Sequence, residues 1–331
     1  MGEFTPAALA LSDLVDRVAE ETGEDPSSIR TFLDPFVDDG AITDEAIEAT
    51  VTDVAQVLAT AETRVDLATR TRADVREAVT AAPDLAIIEA RDRAFTDRLA
   101  DLRDDVDELG TTLTSVRTGM DSPVAVYRAG VDLHELTTEA QRIVRVAHDL
   151  ETELDAFEAW LNSAPRRHDA LVDEVDAAES SAASVAETVE TLQTTAEPDP
   201  ERWFDAAVQT LVLGVVVDDL RTEAADLREW AEREEKPFPT DVDDRIESLR
   251  EETAARASAF EDRPDLEATY YARLATLDTD LAAVDPPLAA PPVGPPLPPA
   301  PDAPGPGPPP ESQTARGGSF RWGSAPGASV S

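Results

Sequence analysis

The sequence predicts an all-α protein in which long helices lie side by side as an antiparallel helical bundle or coiled coil. Apolar residues recur at alternating steps of three and four over three successive segments, which is the period of one helix face. Proline and glycine separate these segments, and the period-two alternation of a β-strand appears nowhere in the chain. We therefore expect a small helical head at residues 1–61, the bundle at 62–284, and a disordered tail rich in Pro, Gly and Ala at 285–331.

Two helices are predicted in the head. Asp25 directly precedes Pro26, which combines an N-cap residue with a proline at the first helical position. The first helix ends before Gly40, and the acidic turn after Thr43 begins the second. Two helices joined by a tight turn also describe a DNA-reading motif, but this segment is acidic where phosphate contacts require Arg or Lys. We expect a packed head or a dimerisation unit.

Three apolar stripes follow the head. The first spans residues 85–116 with one polar interruption at Asp92, the second spans 133–161, and the third spans 171–192. The first two segments each have room for about 35 residues, or roughly 50 Å of helix. Because such rods cannot bury an apolar stripe singly, we expect successive helices to fold back on one another.

Three further helices complete the predicted bundle. The first extends from Trp203 to Trp230, and its apolar residues at 211–217 point in several directions. We therefore expect the middle of this helix to be enclosed on most sides, at the centre of the core. A break at Pro264 separates the last two helices, and the final apolar stripe reaches Val284.

The charge of the chain limits the classes of partner. It has 28 Lys and Arg residues against 70 Asp and Glu, a formal charge of −42, and Lys236 is its only lysine. Such a surface is typical of proteins from high-salt organisms, in which salt screens the repulsion between carboxylates. A polyanion gains no counterion release at phosphates, so nucleic acid and anionic lipid are not expected ligands. The remaining candidates are another protein or a second copy of the chain in a homodimer.

We expect a cytoplasmic protein. The chain has no cysteine, so nothing indicates an oxidising compartment. Its first residues have neither the basic start nor the long apolar core of a signal peptide. The most apolar stretch, residues 208–217, is about half of the ~20 residues that a membrane span needs, so we expect no membrane insertion.

No motif for catalysis, cofactor binding or metal binding is recognisable in the sequence. Nucleotide-binding loops, zinc spacings and nucleophile elbows are missing, and the nearest match to a calcium loop has Leu109 in place of an oxygen ligand. The histidines are too far apart in sequence to form a helical metal pair. We expect a protein that is not an enzyme and holds neither a cofactor nor a metal.

Two features of the predicted helices can be interpreted either as functional sites or as ordinary surface residues. His134 is followed by an acidic residue, as in the phospho-accepting helices of two-component kinases, although the basic residue and proline that usually follow are absent. Glu251 and Glu252, with alanines nearby, are similar to the methylated pairs of chemoreceptors. Both features also arise by chance in acidic helices, so an ordinary surface is the default.

The tail contains one aromatic cluster, formed by Phe320, Arg321 and Trp322. Large aromatic side chains are costly to leave in water, and together with an arginine they are typical of segments that dock into a pocket of a partner protein. These residues are the candidate partner-binding site in the sequence. The alternative is an inert tail.

Three segments of the sequence resemble a known family. They are residues 61–68, residues 157–161 with the sequence Phe-Glu-Ala-Trp-Leu, and residues 203–231, which contain Asp-Asp-Leu-Arg and Leu-Arg-Glu-Trp. Together they resemble the haloarchaeal proteins named "halo transducer protein", over most of residues 25–231. The resemblance implies a haloarchaeal coiled-coil protein with a connection to signalling, and it assigns no functional residues.

The sequence thus favours a non-enzymatic helical interaction or scaffold protein of a halophile. The alternative is a soluble, transducer-like component of signal transduction that is methylated or phosphorylated. An enzyme of another class has no motif in its favour.

Overall fold

A computed structural model of the chain describes residues 10–195, 199–261, 264–284 and 286–288. Within these residues the protein is all-α, as predicted. The helices are α1 (Leu11–Thr22), α2 (Pro26–Leu33), α3 (Asp44–Ala81), α4 (Ala86–Thr118), α5 (Pro123–Leu161), α6 (Ala164–Thr194), α7 (Pro200–Arg233), α8 (Val242–Glu261) and α9 (Pro264–Ala282).

A short β-hairpin lies between α2 and α3, where the sequence predicted no strand. β1 (Val37–Asp38) pairs antiparallel with β2 (Ala41–Ile42), after a single 3₁₀ turn at Asp34–Phe36. The two residues of the turn, Asp39 and Gly40, have φ values of 48° and 82°. Positive φ at both positions is typical of the type I′ turn that joins paired strands. The expectation of no strand was therefore wrong here, because we took Gly40 only as the end of a helix.

Helix α3 connects the head to the rest of the protein without a break. It has 38 residues, and Thr43 caps its start by accepting a hydrogen bond from the backbone N–H of Ala46 at 3.1 Å. No proline or glycine occurs between residues 44 and 82, so nothing in the backbone ends the helix earlier. Residue 61, the predicted end of the head, lies inside this helix.

Three later helices begin at the predicted breaks because each has a capping side chain and a proline in its first turn. Ser122 accepts a hydrogen bond from a backbone N–H at the start of α5, Ser163 does so at the start of α6, and Asp199 at the start of α7. These caps pair N–H groups that have no partner within the helix. The starts of α5, α6 and α7 confirm the predicted breaks.

The apolar positions of the three stripes are buried, as predicted, apart from Leu109, which is partly exposed. Helix α5 packs mainly against α3, and α4 contacts both of them. Helix α6 packs against α7, which also contacts α8 and α9. In the core between α4 and α5, the rings of Phe95 and Phe157 lie 5.3 Å apart, and Phe157 stacks on Trp160 at 5.8 Å.

The middle of α7 is less enclosed than we expected. Leu213 and Val217 are buried, but Leu211 and Val215 are partly exposed, and Val212 is 44% exposed. The physical reason is that α6, α8 and α9 pack on α7 without covering its whole circumference. The expectation that this segment is enclosed on most sides is therefore met only in part, because Val212 is left exposed.

None of the helices in the described part of the chain combines the length and the hydropathy that a membrane crossing requires.

Candidate functional site

Four charged side chains meet where α4, α6 and α7 pack together. They are Arg91 on α4, Glu174 on α6, and Asp219 and Glu223 on α7; we refer to them as the acidic cluster. Arg91, Asp219 and Glu223 are only 3%, 7% and 1% exposed. Because charged groups are seldom buried unless they are paired, these residues are the strongest candidate for a functional site.

Arg91 holds the acidic cluster together. Its Nη2 donates a hydrogen bond to Glu223 Oε1 at 2.8 Å and to Glu174 Oε1 at 3.4 Å. The guanidinium carbon lies 4.5 Å from the centre of the Trp160 ring, within reach of a cation–π interaction. The single guanidinium thus faces three carboxyl groups and one aromatic ring.

The start of α4 is fixed to α7 by a neighbouring acidic side chain. Leu85 occupies the N-cap position of α4 and cannot accept a hydrogen bond through its side chain. Asp226 supplies the missing acceptor, since the backbone N–H of Ile87 donates to its Oδ2 at 2.9 Å. A carboxylate near a helix N-terminus is also favoured by the helix dipole. This contact fixes the position of Arg91 one turn farther along α4.

Burial and mutual repulsion change the acidity of the cluster. Burial, together with the negative charge of Glu223, raises the pKa of Glu174 to about 8, against the opposing effect of Arg91. Burial raises the pKa of Asp219 to about 6, although this carboxylate accepts a hydrogen bond from the backbone N–H of Leu288. At neutral pH the cluster therefore retains a proton, mainly on Glu174.

A surface groove lies between α6 and α7 and reaches the acidic cluster at one end. We call it the α6–α7 groove; its volume is about 630 Å³. Its α6 wall contains Ala177, Ala178, Ser181, Ser184 and Val185, and its α7 wall contains Val208, Gln209, Val212, Leu213 and Val216. Glu174 and Asp219 close one end, beside Leu288. The groove is therefore mainly apolar, with Ser181, Ser184 and Gln209 among its lining residues, and acidic at one end.

The two helical features with a functional interpretation are not part of this cluster. His134 is exposed on α5, and its ring makes an edge-on contact with Phe32 at 5.5 Å. Glu251 and Glu252 are exposed on α8, and Glu252 pairs with Arg256 at 2.8 Å. Among the described residues, no group of three or more His, Asp or Glu side chains is arranged to hold a metal ion. Nothing in the described part of the chain brings these features together.

The candidate partner-binding residues Phe320, Arg321 and Trp322 lie outside the described residues. The acidic cluster, by contrast, was missed by sequence reasoning. The first apolar stripe predicts Asp92 as its single polar interruption, whereas the structure buries its neighbour Arg91. Asp92 itself is partly exposed and pairs with Arg72 of α3.

A signal for the cluster was present on α7. Asp219 and Glu223 continue the line of Val212 and Val216 at helical spacing, so that two acids occupy an otherwise apolar stripe. An acid in such a position needs a buried counter-charge or a proton. The identity of the counter-charge, Arg91, could not be read from α7 alone.

The comparisons with known proteins add no relative. No protein-family model, curated protein or solved structure matches this chain.

Proposed function

We propose that this chain is a non-enzymatic interaction or scaffold protein that is built on a long antiparallel helical bundle and holds a protein partner in the α6–α7 groove. The observation that carries this proposal is the exposed apolar wall of α7, where Val212 is 44% exposed beside the partly exposed Val208 and Val216. Contiguous apolar surface on a soluble helix is typical of an interaction site.

The rest of the described chain supports a binding role. Helices α3 to α7 each have more than 30 residues and share a continuous apolar core. Side chains on packed helices keep their positions, and a surface that is rigid before binding loses less entropy on association. The groove therefore has the properties of a preformed docking surface.

Affinity capture of the full chain from the cells that produce it tests the proposal. We expect a protein to co-purify in constant stoichiometry, and Val212→Asp to reduce the amount recovered at least ~10-fold, because a carboxylate would be desolvated against the partner. Ala225→Asp, at another exposed position of α7, is the matched control and should leave recovery unchanged. If the full chain is recovered alone, even after chemical cross-linking, the scaffold function is wrong.

The tail supplies a second candidate contact. We propose that Phe320, Arg321 and Trp322 recruit a partner as a short linear motif. Captures with the full chain, with a chain truncated before Asp285, and with the Phe320→Ala, Trp322→Ala double variant test this. If the tail recruits the partner, the truncated chain and the double variant should both fail to capture the same protein. Equal recovery from all three chains assigns recruitment to the helical part alone.

The alternative function is that of a soluble signal-transduction component. The resemblance to the halo transducer proteins favours it, and the exposure of His134, Glu251 and Glu252 makes these side chains accessible to a modifying enzyme. Intact mass spectrometry of the native protein under changing stimuli tests this alternative. A phosphate on His134 or a methyl group on either glutamate supports signalling, and an unmodified mass under every stimulus contradicts it.

A further inference from the structure

The α6–α7 groove has the pattern of a helix pair that is missing a third helix. On α7, Val208, Val212 and Val216 follow one another at four-residue spacing, which places them on one face. Opposite them on α6, Ser181 and Ser184 are exposed and small. Small side chains facing a ridge of larger ones leave room for another helix, because packed helix axes are about 8–10 Å apart.

The acidic end of the groove indicates that the helix bound there carries a positive charge at this end. Three carboxyl groups, those of Glu174, Asp219 and Glu223, lie around the single guanidinium of Arg91. That guanidinium makes its shorter contact with Glu223 and also lies over Trp160. The positive charge of Arg91 is therefore largely balanced by Glu223. The carboxyl groups of Glu174 and Asp219, which line the groove, have only the remainder of that charge to balance them. A cationic side chain entering the groove at this end would complete the charge balance.

A second copy of this chain fits the groove less well than a basic partner does. Neither Arg nor Lys is among the described residues that line the groove, so the same face of another copy has no cation to offer. An interface that pairs this face with itself therefore leaves the carboxyl groups of Glu174 and Asp219 without a new counter-charge.

We propose that the α6–α7 groove receives an amphipathic helix of another protein, whose aliphatic side chains pack on Val208, Val212 and Val216 and whose Arg or Lys contacts Glu174 and Asp219. This inference rests on the proposed scaffold function and specifies the chemistry of its partner. The mode of recognition is a helix in a groove, with apolar anchors for affinity and one ion pair for orientation.

The buried position of the acidic end predicts how binding depends on salt and on pH. Asp219 is 7% exposed, so an ion pair formed there is screened less by salt than a pair on the surface. A cation next to Glu174 favours its ionised form, so binding releases a proton. Affinity is therefore expected to rise as the pH increases toward about 8, where Glu174 of the free protein loses its proton.

A display library of helical peptides, randomised along one face, tests the proposal against the full chain in concentrated KCl. We expect selection to enrich aliphatic residues at helical spacing together with one Arg or Lys. Replacing that cation with Gln in a selected peptide should weaken binding at least ~10-fold, the order found when one partner of a buried ion pair is removed. Glu174→Gln should reduce this preference for a cation, and Val212→Asp should abolish binding.

Because the chain has no cysteine, a cross-linker can be attached at a single introduced cysteine to test whether the peptide binds in the groove. A benzophenone attached to Val212→Cys should cross-link the selected peptide, and the same group on Ala225→Cys should not. Failure of the library to enrich any sequence, enrichment of neutral or acidic peptides, or equal cross-linking at both positions would overturn the proposal. Cross-linking of Val212→Cys to a second copy would instead assign the groove to a homodimer and also overturn it.

The two functional proposals fail in different ways. If a cellular partner is captured in constant stoichiometry and Val212→Asp does not reduce its recovery, the scaffold function stands and the groove is not its site. If the library selects basic helices that cross-link at position 212 and no cellular protein is captured, the groove binds as proposed and the scaffold function falls.

Discussion

Arg91 on α4 and Glu223 on α7 form a buried ion pair, with 2.8 Å between Nη2 and Oε1, although the two residues are 132 positions apart in the sequence. The pair is linked to the aromatic core. Arg91 lies over Trp160, Trp160 contacts Trp230 edge-on at 5.7 Å, and the guanidinium of Arg167 lies 3.6 Å from the centre of the Trp230 ring. Two buried arginines and two tryptophans thus connect α4, α5, α6 and α7.

Removing Arg91 should destabilise the protein strongly. Arg91→Met leaves Glu174 and Glu223 buried without their cation, and losing one partner of a buried ion pair costs about 3–5 kcal/mol. Urea unfolding in concentrated KCl measures this loss. Arg93→Met removes only an exposed pair with Glu89 and should change stability by less than about 0.5 kcal/mol; equal losses in both variants would contradict this role of Arg91.

Stability should fall with rising pH because of Glu174. Its pKa is raised from 4.5 to about 8 in the folded protein. Between these values the folded state binds a proton that the unfolded state has released, so the free energy of unfolding decreases up to about pH 8 and is level above it. Asp219 acts in the same direction, with a pKa raised from 3.8 to about 6. Glu174→Gln should therefore flatten the profile between about pH 6 and 8.

A pH series of urea unfolding curves checks this window. Glu190→Gln neutralises an exposed carboxylate of the same helix and is the matched control, expected to keep the wild-type profile. A Glu174→Gln variant that loses stability between pH 6 and 8 as steeply as the wild type would show that another group titrates there.

Arg167 should be the most important side chain of the turn between α5 and α6. Its Nη1 donates to the carbonyl oxygen of Leu161 at 2.9 Å, its Nη2 donates to Glu234 at 2.6 Å, and it stacks on Trp230. Arg167→Lys keeps the charge but cannot make the forked contacts, so both it and Arg167→Ala should lower stability, the alanine variant by about 3 kcal/mol or more.

Thermal unfolding followed by circular dichroism measures the effect of Arg167. Arg166→Ala, at the exposed neighbouring position, is the control and should lie within about 0.5 kcal/mol of the wild type. A lysine variant as stable as the wild type would show that charge alone is sufficient at this position.

Gly130 should be required for α2 to pack on α5. A Cβ atom at this position would lie 2.4 Å from the carbonyl oxygen of Phe32, which is backbone and cannot rotate away. Gly130→Ala should displace α2 and cost about 1–3 kcal/mol. Hydrogen exchange of the α2 amides measures the displacement. Gly110→Ala has free space around its Cβ and should instead add up to about 1 kcal/mol of helix stability.

A charge in the second apolar stripe should disrupt the core. Leu150 is fully buried on α5, and Leu150→Asp places a carboxylate among apolar side chains. We expect lower helicity and a lower melting temperature in high salt, with a loss of about 3 kcal/mol or more. His148→Asp, two residues away and exposed, should melt close to the wild type. An unchanged melt for Leu150→Asp would remove Leu150 from the core.

Local interactions explain why much of the helical structure was predictable. Ser122, Ser163 and Asp199 cap helices within three residues of themselves, and the prolines beside them act at the same range. The buried face of each helix follows from spacings of three and four, which is why Leu102 and Leu150 are buried as predicted. The Asp39-Gly40 turn is equally local, and it was misread because glycine also ends helices.

The sequence by itself therefore determined most of the helices, the breaks before α5, α6 and α7, and the buried faces of the three apolar stripes. Only the tertiary structure decided that α5 packs mainly on α3, that Val212 is left exposed, and that Arg91 meets Glu174 and Glu223. The physical reason is that one apolar stripe can pack on any other of similar width, so periodicity does not select its partner. A charged residue within such a stripe is either solvated or paired, and only the fold brings together an arginine and a glutamate 132 positions apart.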